Sequence, residues 1–393
     1  MNGHAFLAPS SAPQWGYCSG SVFAQLNVPD IEHPRTREGT ASHWVAAEAL
    51  NDSAQRDCSA WVGSTAENGV IVNVEMADGA QVYVDRCRSV RRSLSPLGFS
   101  LVEQRVHMPR IHEKNWGTLD FAACDFQYRP DGSVGAGLIH LIDYKFGFLP
   151  VKAFENLQAV DYVAGLCEMF NIDGRADQHI DVVIEIVQPF NYQAGGPIST
   201  WSVKLSDLRP YFNQLAKQAH DAENNPTLTA GQHCRNCKAA HRCDTLKRSN
   251  YSVLHFVNQP PTLDDMTPAE LATERAILQR GAAMLKARAD AIEDQLTHAL
   301  KQGAQGTGLA LETALGNLNW TVEPTLAATV CAQFGVDISK KAILTPTQAI
   351  DAAPKEAREA LRVAMNTISK RPAKGLKIIK ATDSRTAAAF KKV

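Results

Sequence analysis

The sequence predicts an α/β fold in which a mixed sheet is flanked by helices. From Ser100 onward, three stretches favour strands because they are rich in β-branched and aromatic residues: SLVEQRVHMP, WGTLDFAACDFQY and GLIHLIDYKF. The residues RPDGS mark the turn between the second and the third. A helical pattern over residues 155–170 follows, and IDVVIEIVQP and ISTWSVKL then return to strand. Strands, a helix and further strands in this order are typical of a mixed sheet with helices around it.

Helices are also predicted on either side of this strand-rich region. Residues 1–40 are rich in proline, which interrupts regular structure. The stretch GTASHWVAAEALN predicts a helix that begins near Thr40, and another helix is predicted from about Asp207 to Glu223. The central sheet should therefore be preceded and followed by helices.

A second region begins after VNQPPTLDD. Residues 267–270, TPAE, form a capping box with proline at the first helical position, and the helix that they open should run to about Lys301. The stretch GTGLALETALGNLNWTVEP predicts a hairpin that turns at Gly316 and Asn317. We therefore expect two domains, 1–250 and 262–393, the second a mostly helical accessory region with a hairpin and a basic tail.

Composition and charge are those of an ordinary globular protein. Of the 393 residues, 45% are hydrophobic and 21% are charged, and the net charge is −1, so an acidic partner must be bound by a local patch. No signal peptide and no apolar run of about 20 residues is visible. We expect a cytoplasmic protein without a membrane partner. Residues 362–393 carry nine lysines and arginines against the single acid Asp383, which suits either a solvated end or a nucleic-acid contact.

Polar side chains stand where the predicted strands end. Asp120 lies in the second strand, and Asp143 and Lys145, two residues apart, share one face of the third. Gln158 and Tyr162, four residues apart, share one face of the following helix. Two carboxylates on adjacent strands can bind a hard divalent cation such as Mg²⁺ or Mn²⁺. Such a cation activates water and stabilises charge on a phosphate under attack, which is the chemistry of phosphodiester hydrolysis.

These residues resemble the motifs of a known nuclease superfamily. Asp120, Asp143 and Lys145 resemble the D…(D/E)xK signature of the PD-(D/E)XK superfamily, in which aspartate at Asp143 is an allowed variant. The tetrapeptide GTLD resembles the G-x-x-D element of its RecB-like branch, and Gln158 and Tyr162 resemble the Q-x-x-x-Y element. The resemblance implies a restriction-endonuclease-like core.

The resemblance covers roughly residues 5–244 and is closest to phage-encoded nucleases, which implies the host cytoplasm as the compartment. The histidine in EGTASHW resembles one that the RecB-like branch contributes to the metal. The implied ligands of the metal are the side chains of His43, Asp120 and Asp143 and the backbone carbonyl of Tyr144. Lys145 would lie by the attacking water, and Gln158 and Tyr162 would face the substrate strand or the lysine.

Each of these residues taken singly has an ordinary interpretation. His43 on a helix also suits a surface or core histidine, and Tyr162 also suits plain packing. Glu103, in LVEQRV, could lie near the metal, but the sequence favours a solvated strand residue. The joint occurrence of the motifs, in order and at the right spacing, favours the nuclease interpretation.

A cysteine cluster predicts a second site. In HCRNCKAAHRC, Cys234, Cys237 and Cys243 require a fourth ligand. Cys18 is the candidate because some RecB-like nucleases resemble this arrangement, with one cysteine before the core and three after it around a [4Fe–4S] cluster. A tetrahedral Zn²⁺ site is the alternative, with His233 or His241 in place of Cys18. Either would tie the N-terminal segment to the end of the nuclease domain. The other five cysteines suit core or surface positions.

The sequence therefore favours a Mg²⁺- or Mn²⁺-dependent deoxyribonuclease, an exonuclease of phage-type recombination, repair or DNA processing. Its partners would be DNA and a single-strand annealing or other recombination protein. A DNA-binding or partner-recruiting scaffold on a nuclease fold is the alternative, and its mark would be the loss of a metal ligand or of the lysine. None is lost here. The polarity of cleavage, the strand preference and the oligomeric state stay open.

Overall fold

The computed structural model describes residues 5–28, 34–191, 196–258, 267–315, 319–338, 345–354, 357–370 and 373–380. The helices are α1 Ala12–Trp15, α2 Ser21–Gln25, α3 Pro34–Asn51, α4 Val74–Ser93, α5 Leu157–Met169, α6 Leu205–Asn224, α7 Asp244–Asn258, α8 Pro268–Lys301, α9 Pro324–Ala332, α10 Pro346–Ala352 and α11 Arg358–Ile368. The strands are β1 Phe99–His107, β2 Trp116–Tyr128, β3 Val134–Tyr144, β4 Ile180–Val187, β5 Ile198–Lys204, β6 Leu309–Leu315, β7 Asn319–Trp320, β8 Ser369–Lys370 and β9 Ala373–Lys380.

The predicted mixed sheet is confirmed. Its five strands lie in the order β1-β2-β3-β4-β5. The pairs β1–β2, β2–β3 and β4–β5 are antiparallel, and β3–β4 is parallel. A parallel pair needs a crossover connection, which α5 supplies between β3 and β4. The helix that carries Gln158 and Tyr162 is thus held against the strand that carries Asp143.

Helices cover both faces of the sheet. One apolar core lies between the sheet and α5 and α6, and the other lies between the sheet and α3 and α4. Strand β3 contributes to both, with Ile139 and Leu141 in the first core and Ile142 and Tyr144 in the second. This explains why β3 is an almost continuous apolar run, since a strand buried on both faces has no polar side. The strand ends are therefore fixed by packing from both sides.

Two of these helices differ from the sequence prediction. Helix α3 begins at Pro34, six residues before the expected start near Thr40. Helix α4 was not predicted, because half of its buried residues are alanine, glycine or cysteine, which weakens the apolar pattern of the helix. Asn73 caps it by accepting a hydrogen bond from the Met76 amide at 2.9 Å. Gly79 leaves room for the Tyr144 hydroxyl, which would lie 2.9 Å from a Cβ atom at that position.

The chain divides into two compact units, Met1–Ala291 and Ile292–Val393, with the boundary inside α8. The predicted start of α8 is confirmed, because Thr267 and Glu270 exchange the hydrogen bonds of a capping box. None of the helices in the described ranges combines the length and the apolar character that crossing a membrane requires.

The second unit corrects the predicted hairpin. Strand β6 pairs with β9, and β7 pairs with β8, so β6 and β7 are not partners of each other. The expected turn at Gly316 and Asn317 lies outside the described residues. Within the basic segment, residues 362–370 and 373–380 form the end of α11, β8 and β9. Residues 371–372 and 381–393 lie outside the described part, so the two interpretations of the basic tail stay predictions.

Candidate functional site

The candidate metal site forms where β1, β2 and β3 pass the same level of the sheet. Phe121 pairs with Val102 on one side and with Ile142 on the other. The preceding residue, Asp120, is thereby brought beside Glu103 and Asp143, which follow these two partners. Glu103 has a φ of 47°, a left-handed conformation that is rare for a strand residue with a side chain. Strain of this kind is often found at functional sites.

Three potential ligands converge at this level. One ligand atom each from His43, Glu103 and Asp120 lie within 4.8 Å of one another, and no other described residues form such a group of three. His43 extends from α3, and its Nδ1 lies 3.6 Å from Oδ1 of Asp120. Glu103, which the sequence favoured as a solvated residue, is exposed at its strand position and nevertheless belongs to this group. From the sequence alone, a place near the metal was only one possibility for Glu103, because its position opposite Asp120 depends on the register of β1 and β2.

The ring of His43 is oriented by Tyr144. The two ring centroids lie 4.8 Å apart, and the Tyr144 ring also stacks on Tyr83 at 4.9 Å. The Ser42 hydroxyl donates to the Met76 carbonyl and lies 2.8 Å from the Tyr144 hydroxyl. Burial, followed by the charge of Lys145, lowers the pKa of His43 to about 4. A neutral imidazole at pH 7 is the form that binds metals.

Lys145, Asp143 and Gln158 form a closed network next to this group. Nζ of Lys145 lies 2.9 Å from Oδ2 of Asp143 and donates to Oε1 of Gln158 at 3.2 Å. The Gln158 amide donates in turn to Oδ1 of Asp143 at 2.9 Å. Burial lowers the pKa of Lys145, but the carboxylates of Asp143 and Asp120 outweigh it and leave this pKa raised. Lys145 is therefore a fixed positive charge at the site.

Tyr162 contacts the sheet differently from Gln158. Its hydroxyl donates to the backbone carbonyl of Thr118 at 2.7 Å, and its side chain is buried. Gly117 makes the approach possible, because a Cβ atom there would lie 2.9 Å from Pro9 and 3.1 Å from the Tyr162 ring. The glycine of GTLD and the tyrosine of the helix thus fit each other. The hydroxyl of Tyr162 thus bonds to β2 and also lies within hydrogen-bond reach of the Gln158 side chain, which accepts from Lys145.

The backbone of Tyr144 also lies in the site. Its amide donates to Oδ2 of Asp120 at 2.7 Å, and its backbone forms a hydrogen bond with His43. Residue 144 therefore links the ligand group to the end of β3.

The electrostatics of the site suit a cation. Burial raises the pKa of Asp120 and of Asp143, although Lys145 opposes the shift in both. Although Glu103 is exposed at its strand position, desolvation of its carboxyl within the ligand group, followed by the charge of Asp120, raises its pKa to about 8. Crowded carboxylates resist ionisation because their charges repel, and a divalent cation removes this repulsion. The donor set of one imidazole and several carboxylate oxygens fits Mg²⁺ or Mn²⁺.

The four predicted cysteines come together in the same unit. Cys18, Cys234, Cys237 and Cys243 line a single cavity, and all of them are free thiols. Backbone amides of Thr229 and Leu246 donate to the sulfurs of Cys18 and Cys243 at 3.3 and 3.5 Å. Burial first, and then the neighbouring cysteines, raise the pKa of Cys237 to about 11. Four thiols in an apolar pocket need a cation if they are to ionise.

The zinc alternative requires four ligand atoms close to one another. Thiolates around tetrahedral zinc lie about 3.8 Å apart, because each Zn–S bond is about 2.3 Å long. Among the described residues, no three cysteine sulfurs lie within 4.8 Å of one another. His241 does not line the cavity, and His233, which does, is hydrogen-bonded to the Thr229 carbonyl at 2.8 Å.

The cysteine segment is also attached to α7 and α8. Cys234 belongs to a small apolar core with Leu246 of α7 and Met284 of α8. Arg288 donates to the Ala240 carbonyl at 3.2 Å, and Asn250 donates to the Met284 carbonyl at 3.2 Å. The four cysteines therefore lie where the N-terminal segment, the segment after α6 and the first half of α8 meet. The remaining cysteines are buried in apolar cores, as predicted: Cys58, Cys87, Cys124, Cys167 and Cys331.

A family model matches residues 4–386, which is nearly the whole chain, including both units. The chain belongs to the DUF2800 family. The description of this family is "protein of unknown function", so it assigns no activity to the ligand group or to the cysteines. The chemistry of these two DUF2800 sites must therefore be inferred from their residues.

Proposed function

We propose that this DUF2800 protein is a metal-dependent deoxyribonuclease with a PD-(D/E)XK-like core. The observation that carries the proposal is the convergence of His43, Glu103 and Asp120 within 4.8 Å at one level of the sheet. The network of Lys145, Asp143 and Gln158 lies beside it. Acidic ligands, a neutral histidine and a half-buried lysine are groups that suit phosphodiester hydrolysis, and the motif resemblance is further support.

The residues have separate roles in this proposal. His43, Glu103, Asp120 and Asp143, with the backbone of Tyr144, would hold Mg²⁺ or Mn²⁺, which supplies an activated water and stabilises charge on the phosphate. Lys145 would place a positive charge next to the phosphate. The same charge would offset the negative charges of the carboxylate ligands. Gln158 fixes the lysine by accepting from Nζ while donating to Asp143. This preorganisation is what the rigid strand ends provide.

The cysteines belong to the same proposal as a staple. The four thiols would hold a [4Fe–4S] cluster, with zinc as the alternative. The four cysteines line one cavity although they come from distant parts of the chain, since Cys18 is 216 positions before Cys234. No cysteine is in the ligand group of His43, Glu103 and Asp120. The cluster would therefore support the fold and take no part in hydrolysis.

The test is digestion of end-labelled single- and double-stranded DNA by the full-length protein. We expect cleavage with Mg²⁺ or Mn²⁺ and none with EDTA, and no cleavage by an Asp143→Asn variant that keeps the size of the side chain. Asp125→Asn is a matched control, because Asp125 lies on β2 and binds Ser95 at 2.8 Å, away from the ligand group. Cleavage by wild type and by Asp143→Asn at equal rates would overturn the site. Lack of any DNA cleavage with either metal would overturn the proposed function.

A further inference from the structure

A polar face of β1 and β2 continues outward from the ligand group. Side chains two apart in a strand share a face, so Arg105 and His107 lie on one face of β1, directly beyond Glu103 and its left-handed backbone. In the register, Arg105 pairs with Thr118 and His107 pairs with Trp116. All three of these β1 residues are exposed, whereas the intervening Val106 is buried. The exposed face thus carries a ladder that begins at the candidate metal site.

The ladder has a defined spacing. Two residues of a strand span about 7 Å, so Arg105 lies about 7 Å beyond Glu103, and His107 and its partner Trp116 lie about 13 Å beyond it. Thr118, which is exposed, separates Asp120 from Trp116 on β2. Its small side chain leaves space between the ligand group and the indole.

Trp116 is not explained by the packing of the fold. It is half-buried, and it belongs to neither of the apolar cores that the described residues form on the two faces of the sheet. Its ring instead contacts Arg105, whose guanidinium carbon lies 3.7 Å from the ring centroid. The ring of His107 lies 6.5 Å away. A large aromatic side chain outside the cores, next to polar planar groups, is typical of a surface for stacking.

The positive charge of Arg105 is also available to a ligand. Among the described residues, its guanidinium forms no ion pair, and its contact is with the indole. Stacking holds the guanidinium plane in place while its N–H groups remain available for a phosphate. Because the whole chain has a net charge of −1, attraction of a nucleic acid must come from such local groups.

We infer that this ladder binds a single-stranded segment of DNA next to the phosphate at the ligand group, with Arg105 on a backbone phosphate and Trp116 stacked on a base. The inference rests on the proposed function and adds the substrate class to it. A base is available to the indole only when it is not stacked within a duplex, which is why the occupant is a single strand. The surface thus favours a frayed or single-stranded end over an intact double helix.

The test measures binding of full-length protein to labelled oligonucleotides by fluorescence anisotropy, with Ca²⁺ in place of Mg²⁺. We expect Trp116→Ala to weaken single-strand binding by about 5- to 150-fold, the range found for loss of one stacked base, and to affect a blunt duplex less. Trp116→Phe should restore most of the affinity. Arg105→Gln should lower the log–log salt slope by about 0.7, the value for one phosphate contact on a single strand.

Matched controls are a tyrosine of the same strand and an arginine of α4. Tyr128 is 59% exposed at the other end of β2, about 40 Å from Trp116 along the strand, and Tyr128→Ala should bind like wild type. Arg92, an exposed arginine at the end of α4, is the control for Arg105. A set of oligonucleotides with one abasic position each gives a sharper measurement. Wild type should lose affinity when one particular base is absent, and Trp116→Ala should be insensitive at that position.

The outcomes separate this inference from the proposed function. If the wild-type protein cleaves DNA, and Trp116→Ala and Arg105→Gln bind single strands as tightly as it does, the inferred role of the ladder is wrong. The nuclease proposal would then remain intact. An equal loss of affinity by Trp116→Ala for every abasic position would overturn stacking in particular. A wild-type protein that neither binds nor cleaves DNA would overturn both.

Discussion

The ligand group on the sheet and the cysteine cluster differ in what their side chains connect. His43, Glu103 and Asp120 extend from elements that two large apolar cores already hold in place. The local apolar core around the cysteines consists of a few residues, among them Leu246 and Met284. Under the proposed function, charge is concentrated where large cores hold the fold, and ligation would act as a cross-link where the local core is small. The two clusters of one unit would then serve chemistry and folding separately.

The largest expected effect is on the chemistry. Lys145→Ala should lower the rate of DNA cleavage by at least about 10²-fold, because it removes a fixed positive charge from the reacting phosphate. The protein should remain folded but melt at a lower temperature, because the buried carboxylate of Asp143 loses its ion-pair partner. Cleavage rates and thermal unfolding should be measured on the same preparations, with Lys204→Ala as a control lysine at the end of β5. Normal cleavage by Lys145→Ala would remove the distinction between the two clusters.

At the cysteines, the expected effect of a substitution is on metal binding and stability rather than on the cleavage step. Cys237→Ser should lose the bound metal and lower the melting temperature by at least about 5 °C, because binding of a structural metal and folding are coupled. Protein prepared without oxygen should be brown and contain iron and sulfide. The control is Cys124→Ser, a buried cysteine of the main core that should keep the iron. A colourless wild-type protein with one equivalent of zinc would support the alternative metal, and a metal-free one would contradict the staple.

A smaller effect is expected at Glu103, which the structure adds to the ligand group. Glu103→Gln keeps the shape of the side chain but removes a charge, so we expect the apparent affinity for Mn²⁺ to fall by about 10- to 100-fold. Calorimetric titration with Mn²⁺ measures this independently of cleavage. Glu113→Gln, at an exposed position before β2, should bind Mn²⁺ like wild type. An unchanged affinity in Glu103→Gln would restore the solvated interpretation of this residue.

The sequence was informative where local pattern and chemistry coincide. The strands of the sheet, the turn between β2 and β3 and the start of α8 follow from alternation, turn residues and a capping box, all of which act over a few positions. Helix α4 was not predicted because half of its buried residues are small, such as Ala77 and Ala80, and such residues give only a weak apolar pattern in the sequence. The pairing of β6 with β9 escaped it because strand partners far apart in sequence leave no local signal.

At the candidate site too, the sequence could not predict contacts that depend on strand register. The motifs placed Asp120, Asp143, Lys145 and Gln158 at neighbouring strand and helix ends, and the structure brings them there. Glu103 could not be placed, since its membership depends on the register with β2 and on its positive φ. The ladder of Arg105 and Trp116 is also a product of register, because its members come from two strands.

Tyr162 gives the smallest expected effect and the sharpest test of the comparison. It belongs to the motif of the chemical site, yet its hydroxyl donates to the Thr118 carbonyl as a structural contact would. Tyr162→Phe should therefore cost about 1 kcal/mol of unfolding free energy, the value of one hydrogen bond, and keep cleavage within about tenfold of wild type. Urea unfolding and cleavage rates should be compared with those of Tyr128→Phe, whose exposed side chain lies at the other end of β2. A loss of about 10²-fold in cleavage with unchanged stability would instead show that the hydroxyl acts on the substrate or on the lysine, and Tyr162 would then belong with Lys145.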